Sequence, residues 1–66
     1  MGNRLKEVRK EKGITQEELE RLSGVSRQTI SAIENNPDYQ AKSGTLIALA
    51  KAMETTVDRI FFAEAV

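Results

Sequence analysis

Apolar positions along this 66-residue chain recur at helical spacing, and strand-like alternation is nearly absent. Leu5, Val8 and the stem of Arg9 fall at i, i+3 and i+4, which predicts a first amphipathic helix from about Asn3 to Lys12. Gly13 follows as a left-handed exit, a conformation that costs glycine nothing because it has no Cβ. Thr15-Gln16-Glu17-Glu18 reads as a capping box, with Thr15 at the N-cap and Glu18 three residues on. Leu19 and Leu22 are expected to form the buried face of that second helix, and Ser23-Gly24 to end it. Ser26 can cap a third helix from Arg27 to about Asn35, with Ile30 and Ile33 inward. Two helices joined by so short a turn around Gly24 must cross steeply, the geometry of a helix-turn-helix.

Beyond Asn35 the character changes. Asn36-Pro37-Asp38-Tyr39-Gln40 is rich in turn formers, and Pro37 pushes Asn36 out of right-handed helix. A fourth helix is expected from about Lys42 or Ser43 to Met53, burying Leu46, Leu49, Ala50 and Met53. Thr56 can cap a fifth, from Val57 to about Phe62, burying Val57, Ile60 and Phe61. The predicted fold class is all-α, five short helices around one core. A single domain spanning residues 1–66 is expected, because a chain this long holds only one small core.

Composition narrows the chemistry. Apolar residues make up 39% and charged residues 30%, the balance of a folded domain rather than a disordered one. There is no cysteine and no histidine. Disulfides, thiolate or imidazole metal sites, and Ser-His or Cys-His nucleophiles are therefore excluded. Glu17, Glu18 and Glu20 form the only dense carboxylate cluster, beside Arg21 on a short surface helix, where solvated charge fits better than acid–base work. The four glycines (Gly2, Gly13, Gly24, Gly44) are isolated, so no phosphate-cradling loop is present. No enzymatic activity, cofactor, metal or small-molecule ligand is expected. No apolar run approaches the roughly 18 residues of a membrane span, and the expected location is the cytoplasm, which the lack of cysteine fits.

Formal net charge is zero, with ten basic and ten acidic residues. Residues 1–36 carry Arg4, Lys6, Arg9, Lys10, Lys12, Arg21 and Arg27 against Glu7, Glu11, Glu17, Glu18, Glu20 and Glu34. Any nucleic-acid surface must then be local rather than a property of the whole field.

Three stretches carry a family resemblance: Thr15-Gln16-Glu17-Glu18-Leu19, Gly24-Val25-Ser26-Arg27-Gln28-Thr29-Ile30-Ser31, and Ile33-Glu34-Asn35. They resemble the helix-turn-helix of the lambdoid phage repressor/Cro, or Xre-type, DNA-binding family. Residues 45–53 and 57–61 are similar to its fourth and fifth helices, so the resemblance runs from about Arg4 to Phe62. It implies a lambda-repressor-like DNA-binding domain, free-standing and without a ligand-sensing domain, whose third helix enters the major groove of double-stranded DNA.

Carried over position by position, the resemblance implies base contacts from Arg27 and Gln28, with Ser31 and Ala32 one turn further on. Arg can bond guanine O6 and N7 bidentately, Gln can do the same to adenine N6 and N7, and Ala32 offers only a methyl. Gln16, at the N-terminus of the second helix, is implied as a phosphate clamp, and Thr29, Asn35 and Lys42 as further phosphate contacts. Asn36 and Tyr39 rank after these as candidates for the same phosphate contacts. Arg9 and Glu34 are implied as a structural ion pair tying the first helix to the third.

The sequence departs from the family pattern in three places. Asn36 replaces the usual glycine after Glu34-Asn35, as the next-best residue for a left-handed exit. Lys42-Ser43-Gly44 replaces a Pro-Ser helix start after a loop about one residue longer than usual. Glu54 stands where a glycine commonly ends the fourth helix.

A domain this small buries only about 60% of its unfolded surface, and dimerisation is one way to add stability. Phe62 and Val66, with Ala63 and Ala65, form the expected dimer surface; the alternative is that Phe62 folds back and the tail frays. The function expected is a sequence-specific transcriptional regulator, most simply a dimeric repressor on an inverted-repeat operator. The alternative is a protein-interaction module on the same fold, such as a toxin-neutralising antitoxin or an adaptor.

Overall fold

The computed structural model describes residues 3–36 and 39–61, which form α1 (Leu5–Glu11), α2 (Gln16–Ser23), α3 (Arg27–Asn35), α4 (Ser43–Ala52) and α5 (Val57–Phe61). No strand occurs among the described residues, and none of their helices is long and apolar enough to cross a membrane. The five helices expected from spacing are present with described ends close to those expected, and the expected end of α5 at about Phe62 lies outside the described residues.

The caps explain why. Asn3 Oδ1 accepts from the Leu5 N–H at 3.0 Å, while its Nδ2 donates to the Ile33 carbonyl at 3.0 Å. One short side chain thus starts α1 and ties it to α3. Gly13 exits α1 with φ +70°. At α2 both halves of the capping box form: the Glu18 N–H donates to Thr15 Oγ1 (3.1 Å), and the Thr15 N–H donates to Glu18 Oε1 (3.1 Å). Ser26 Oγ accepts from the Thr29 N–H at 3.2 Å and starts α3.

α2 packs on α3 and α4, α4 on α5, and α1 on α3 and α5. The core is Leu5, Val8, Leu19, Ile30, Ile33, Leu49, Ala50, Met53 and Ile60. Ile14, Val25, Ala41, Ala52, Val57 and Phe61 close around it. Aliphatic side chains from all five helices meet there, so positions 27 and 28 at the start of α3 are carried on a scaffold pinned from several sides.

Three details differ from expectation. Leu22 is half exposed, not buried. The inward stripe of α2 runs through Gln16, Leu19 and Ser23, and Leu22 lies one residue short of that stripe, at its flank. Ser23 can replace an apolar residue because its hydroxyl donates to the Leu19 carbonyl at 2.6 Å and accepts from the Val25 N–H at 3.1 Å. Leu46 is half-buried, the burial in α4 falling on Leu49 and Ala50, with Met53 just beyond. Asn36 leaves α3 in extended conformation, φ −124° and ψ 98°, rather than left-handed. An extended residue before Pro37 is what the proline ring demands of its neighbour. Beyond α4, Glu54 takes the left-handed conformation with φ +54°, at the position where the family commonly has a glycine.

Candidate nucleic-acid interface

The N-termini of α2 and α3 lie at one corner of the molecule. An open cleft there is lined by Arg9, Lys10, Gly13, Ile14, Thr15, Gln16, Glu17 and Arg27. Its floor is a polar network built by three helices. Arg9 Nε donates to Glu34 Oε2 at 2.7 Å and Nη2 donates to Glu34 Oε1 at 3.2 Å, a two-point pairing of the kind that fits a planar guanidinium to a carboxylate. Arg9 Nη1 donates to the Ile14 carbonyl at 2.9 Å. The two side chains are only 11% and 2% exposed, so the pair is held largely out of water.

Gln16 completes the network: its Nε2 donates to Glu34 Oε1 at 3.1 Å. The amide that the resemblance assigns to a phosphate is thus docked on a buried carboxylate. An amide nitrogen carries two donors, and one remains for an anion. Thr15 already occupies the Glu18 N–H, whereas the Gln16 and Glu17 N–H groups make no hydrogen bond within the described residues. These backbone groups, at the positive end of α2, are an anion-binding arrangement.

At α3 the side chains divide by direction. Arg27 and Gln28 are exposed in the first turn. Gln28 makes no side-chain hydrogen bond within the described residues, and Arg27 Nη1 lies 3.6 Å from Glu17 Oε2 on α2. Ser31 and Ala32 are half-buried one turn on. Thr29 Oγ1 accepts from Ser26 Oγ at 2.9 Å, and Asn35 Nδ2 donates to Ser31 Oγ at 3.1 Å, so both assigned phosphate residues are engaged by neighbours on their own helix. Lys42 sits at the N-cap of α4 with an exposed side chain that makes no cap bond. Phe62 and Val66 lie outside the described residues.

Two relations escaped the sequence reading. The Gln16–Glu34 bond links positions eighteen residues apart and has no local spacing rule to announce it. The Glu17–Arg27 pair spans the turn between two helices, and only its opposite charges hinted at it.

Comparison with known proteins agrees with this architecture. The helix-turn-helix family model matches residues 5–60, the full span of α1 to Ile60 in α5. The uncharacterized HTH-type transcriptional regulator YgzD of Bacillus subtilis (strain 168) is 36% identical over 64 residues, covering 97% of this chain and 96% of that protein. With five helices in order, the short α2–α3 turn and a match over nearly its whole length, the chain belongs to the Xre/Cro-C1-type helix-turn-helix family.

Proposed function

We propose that this protein is a sequence-specific DNA-binding transcriptional regulator, acting as a dimeric repressor that lays α3 in the major groove of an inverted-repeat operator. The observation that carries the reading is the corner itself: Arg27 and Gln28 exposed at the start of α3, beside the unbonded N–H groups at the start of α2. Those N–H groups and the second Gln16 donor clamp a phosphate. That contact fixes the register in which Arg27 and Gln28 meet base edges, with Ser31 and Ala32 following along the groove. Thr29, Asn35 and Lys42 extend the phosphate track, Thr29 through its own O–H and Asn35 through the second N–H of its amide.

Arg9 and Glu34 serve this reading indirectly. The pair neutralises the Glu34 carboxylate and holds Gln16 beside the cleft, so Glu34 does not face the anion site as an uncompensated charge. Lys10 lines the same cleft and makes no side-chain bond within the described residues. With few cations at the corner, affinity falls with salt through only a few phosphate contacts per subunit.

In a two-fold dimer, half-sites lie about 34–36 Å apart, one helical turn. The test is binding-site selection from a random duplex library at fixed salt. The expected result is enrichment of an inverted repeat with that spacing. A single enriched half-site overturns the dimer and leaves the DNA reading standing. No enrichment by folded protein overturns the DNA reading in favour of a protein-interaction module, whose contact residues then include half-exposed Leu22 and Ile47.

A further inference from the structure

Arg27 is already engaged in the free protein. Its Nη1 stands 3.6 Å from Glu17 Oε2, with the two side chains 57% and 78% exposed. An exposed pair this long adds little to the fold, so what it does to Arg27 matters more than what it does for stability. A guanidinium presents five N–H donors in a rigid planar fork. Glu17 stands on the Nη1 side of that fork as an ion-pair contact, and no hydrogen bond within the described residues engages the edge formed by Nη2 and Nε. Two adjacent donors on one edge are what guanine O6 and N7 accept.

We propose that Glu17 is a positioning residue for base recognition, holding Arg27 so that its free edge faces guanine rather than a phosphate. The inference rests on the DNA-recognition reading and deepens it. An untethered arginine beside a duplex has two options: the base edge, which carries sequence, and the phosphate, which does not. Glu17 acts on both. The Glu17 charge beside Nη1 biases the Arg27 rotamers before binding, so somewhat less freedom is lost when the base contact forms. Its negative charge, 3.6 Å from Nη1, also disfavours a phosphate at the Arg27 guanidinium itself, a penalty every sequence bears equally. Adenine presents an N–H donor where guanine has O6, so an aimed arginine discriminates between them and a wandering one discriminates less.

The experiment compares parent, E17Q, E17D, R27A and the E17Q/R27A double variant by fluorescence anisotropy, with circular dichroism confirming that each is folded. The probes are the selected duplex, the same duplex with guanine changed to adenine at the base pair where R27A loses preference, and a mixed-sequence duplex. E17Q is expected to bind the mixed-sequence duplex about two- to five-fold tighter and to lose a similar factor of guanine preference, the scale of an exposed ion pair. E17D keeps the charge but shortens the reach, so it loses preference without the non-specific gain. In the R27A background, E17Q changes no preference. If E17Q tightens every duplex equally and keeps the guanine preference, Glu17 is only a repulsive charge and the proposal is overturned. If the parent binds duplexes and R27A leaves all preferences unchanged, the role of Arg27 fails and the proposal fails with it. If the parent binds no duplex at all, the DNA reading itself is overturned.

Discussion

The two connections that flank α3 are built on different physics. On its N-terminal side, residues 24–26 are fixed by local chemistry. Gly24 takes φ +77° and its N–H donates to the Glu20 carbonyl at 2.8 Å, while Ser23 and Ser26 bond the backbone on either side. On its C-terminal side the chain leaves through extended Asn36, and α4 begins at Lys42 without a side-chain cap. In that loop the Asn36 N–H donates to the Ala32 carbonyl and the Tyr39 N–H to the Asn36 carbonyl, each at 2.9 Å, both of them backbone bonds. The far end of α3 is held instead from a distance: Glu34 by Arg9 and Gln16, and the Ile33 carbonyl by Asn3. The end assigned to base reading is thus set by its own turn, and the opposite end by side chains of α1 and α2. Ile33, buried in the core, adds to these bonds in fixing the far end of α3.

This contrast can be broken at several points. The largest effect is expected for Arg9→Ala, which leaves the buried Glu34 carboxylate without its cation. Such one-sided removals cost about 3–5 kcal/mol, a large share of the ~5–15 kcal/mol that holds a domain, and urea unfolding should show a sharply lowered midpoint. A middle-sized effect separates the two connections directly. Ser26→Ala removes a bonded N-cap and should cost about 1 kcal/mol, whereas Lys42→Ala, at an N-cap with no side-chain bond, should stay within about 0.5 kcal/mol. Equal losses would mean that the α3 cap contributes no more than the uncapped start of α4. The smallest effect has the opposite sign. Glu54 holds a left-handed conformation that costs a side chain ~1 kcal/mol or more. Glu54→Gly should stabilise by about 0.5 kcal/mol in thermal melts, the remainder being offset by glycine's freedom in the unfolded chain.

The same contrast marks what a sequence can disclose. Elements governed by residues close in the chain were legible: the Thr15–Glu18 box, the Ser26 cap, the Gly13 and Gly24 exits and the inward Ile30 and Ile33. Leu22 misled because apolarity at i+3 does not say which side of Leu19 the neighbouring helices occupy, and Ser23 won the inner position by satisfying its hydroxyl on the backbone. Asn36 misled because a left-handed preference competed with the demand of Pro37 and lost. In the candidate interface, Arg27, Gln28 and Gln16 were named from the family resemblance, carried over position by position. Their partners were not, because Glu34 and Glu17 reach them across helix–helix contacts that only the folded chain creates.

The central claim is that the start of α3 reads bases. It is tested most directly by measuring the affinity of the parent and of Arg27→Ala for the selected site and for its single-base variants, at one salt concentration. The account predicts that Arg27→Ala flattens preference at one base pair per half-site, at a cost of about 1–3 kcal/mol there, and leaves the other positions as they were. A uniform loss on every sequence, with all preferences intact, would place Arg27 on the phosphate backbone and contradict the account.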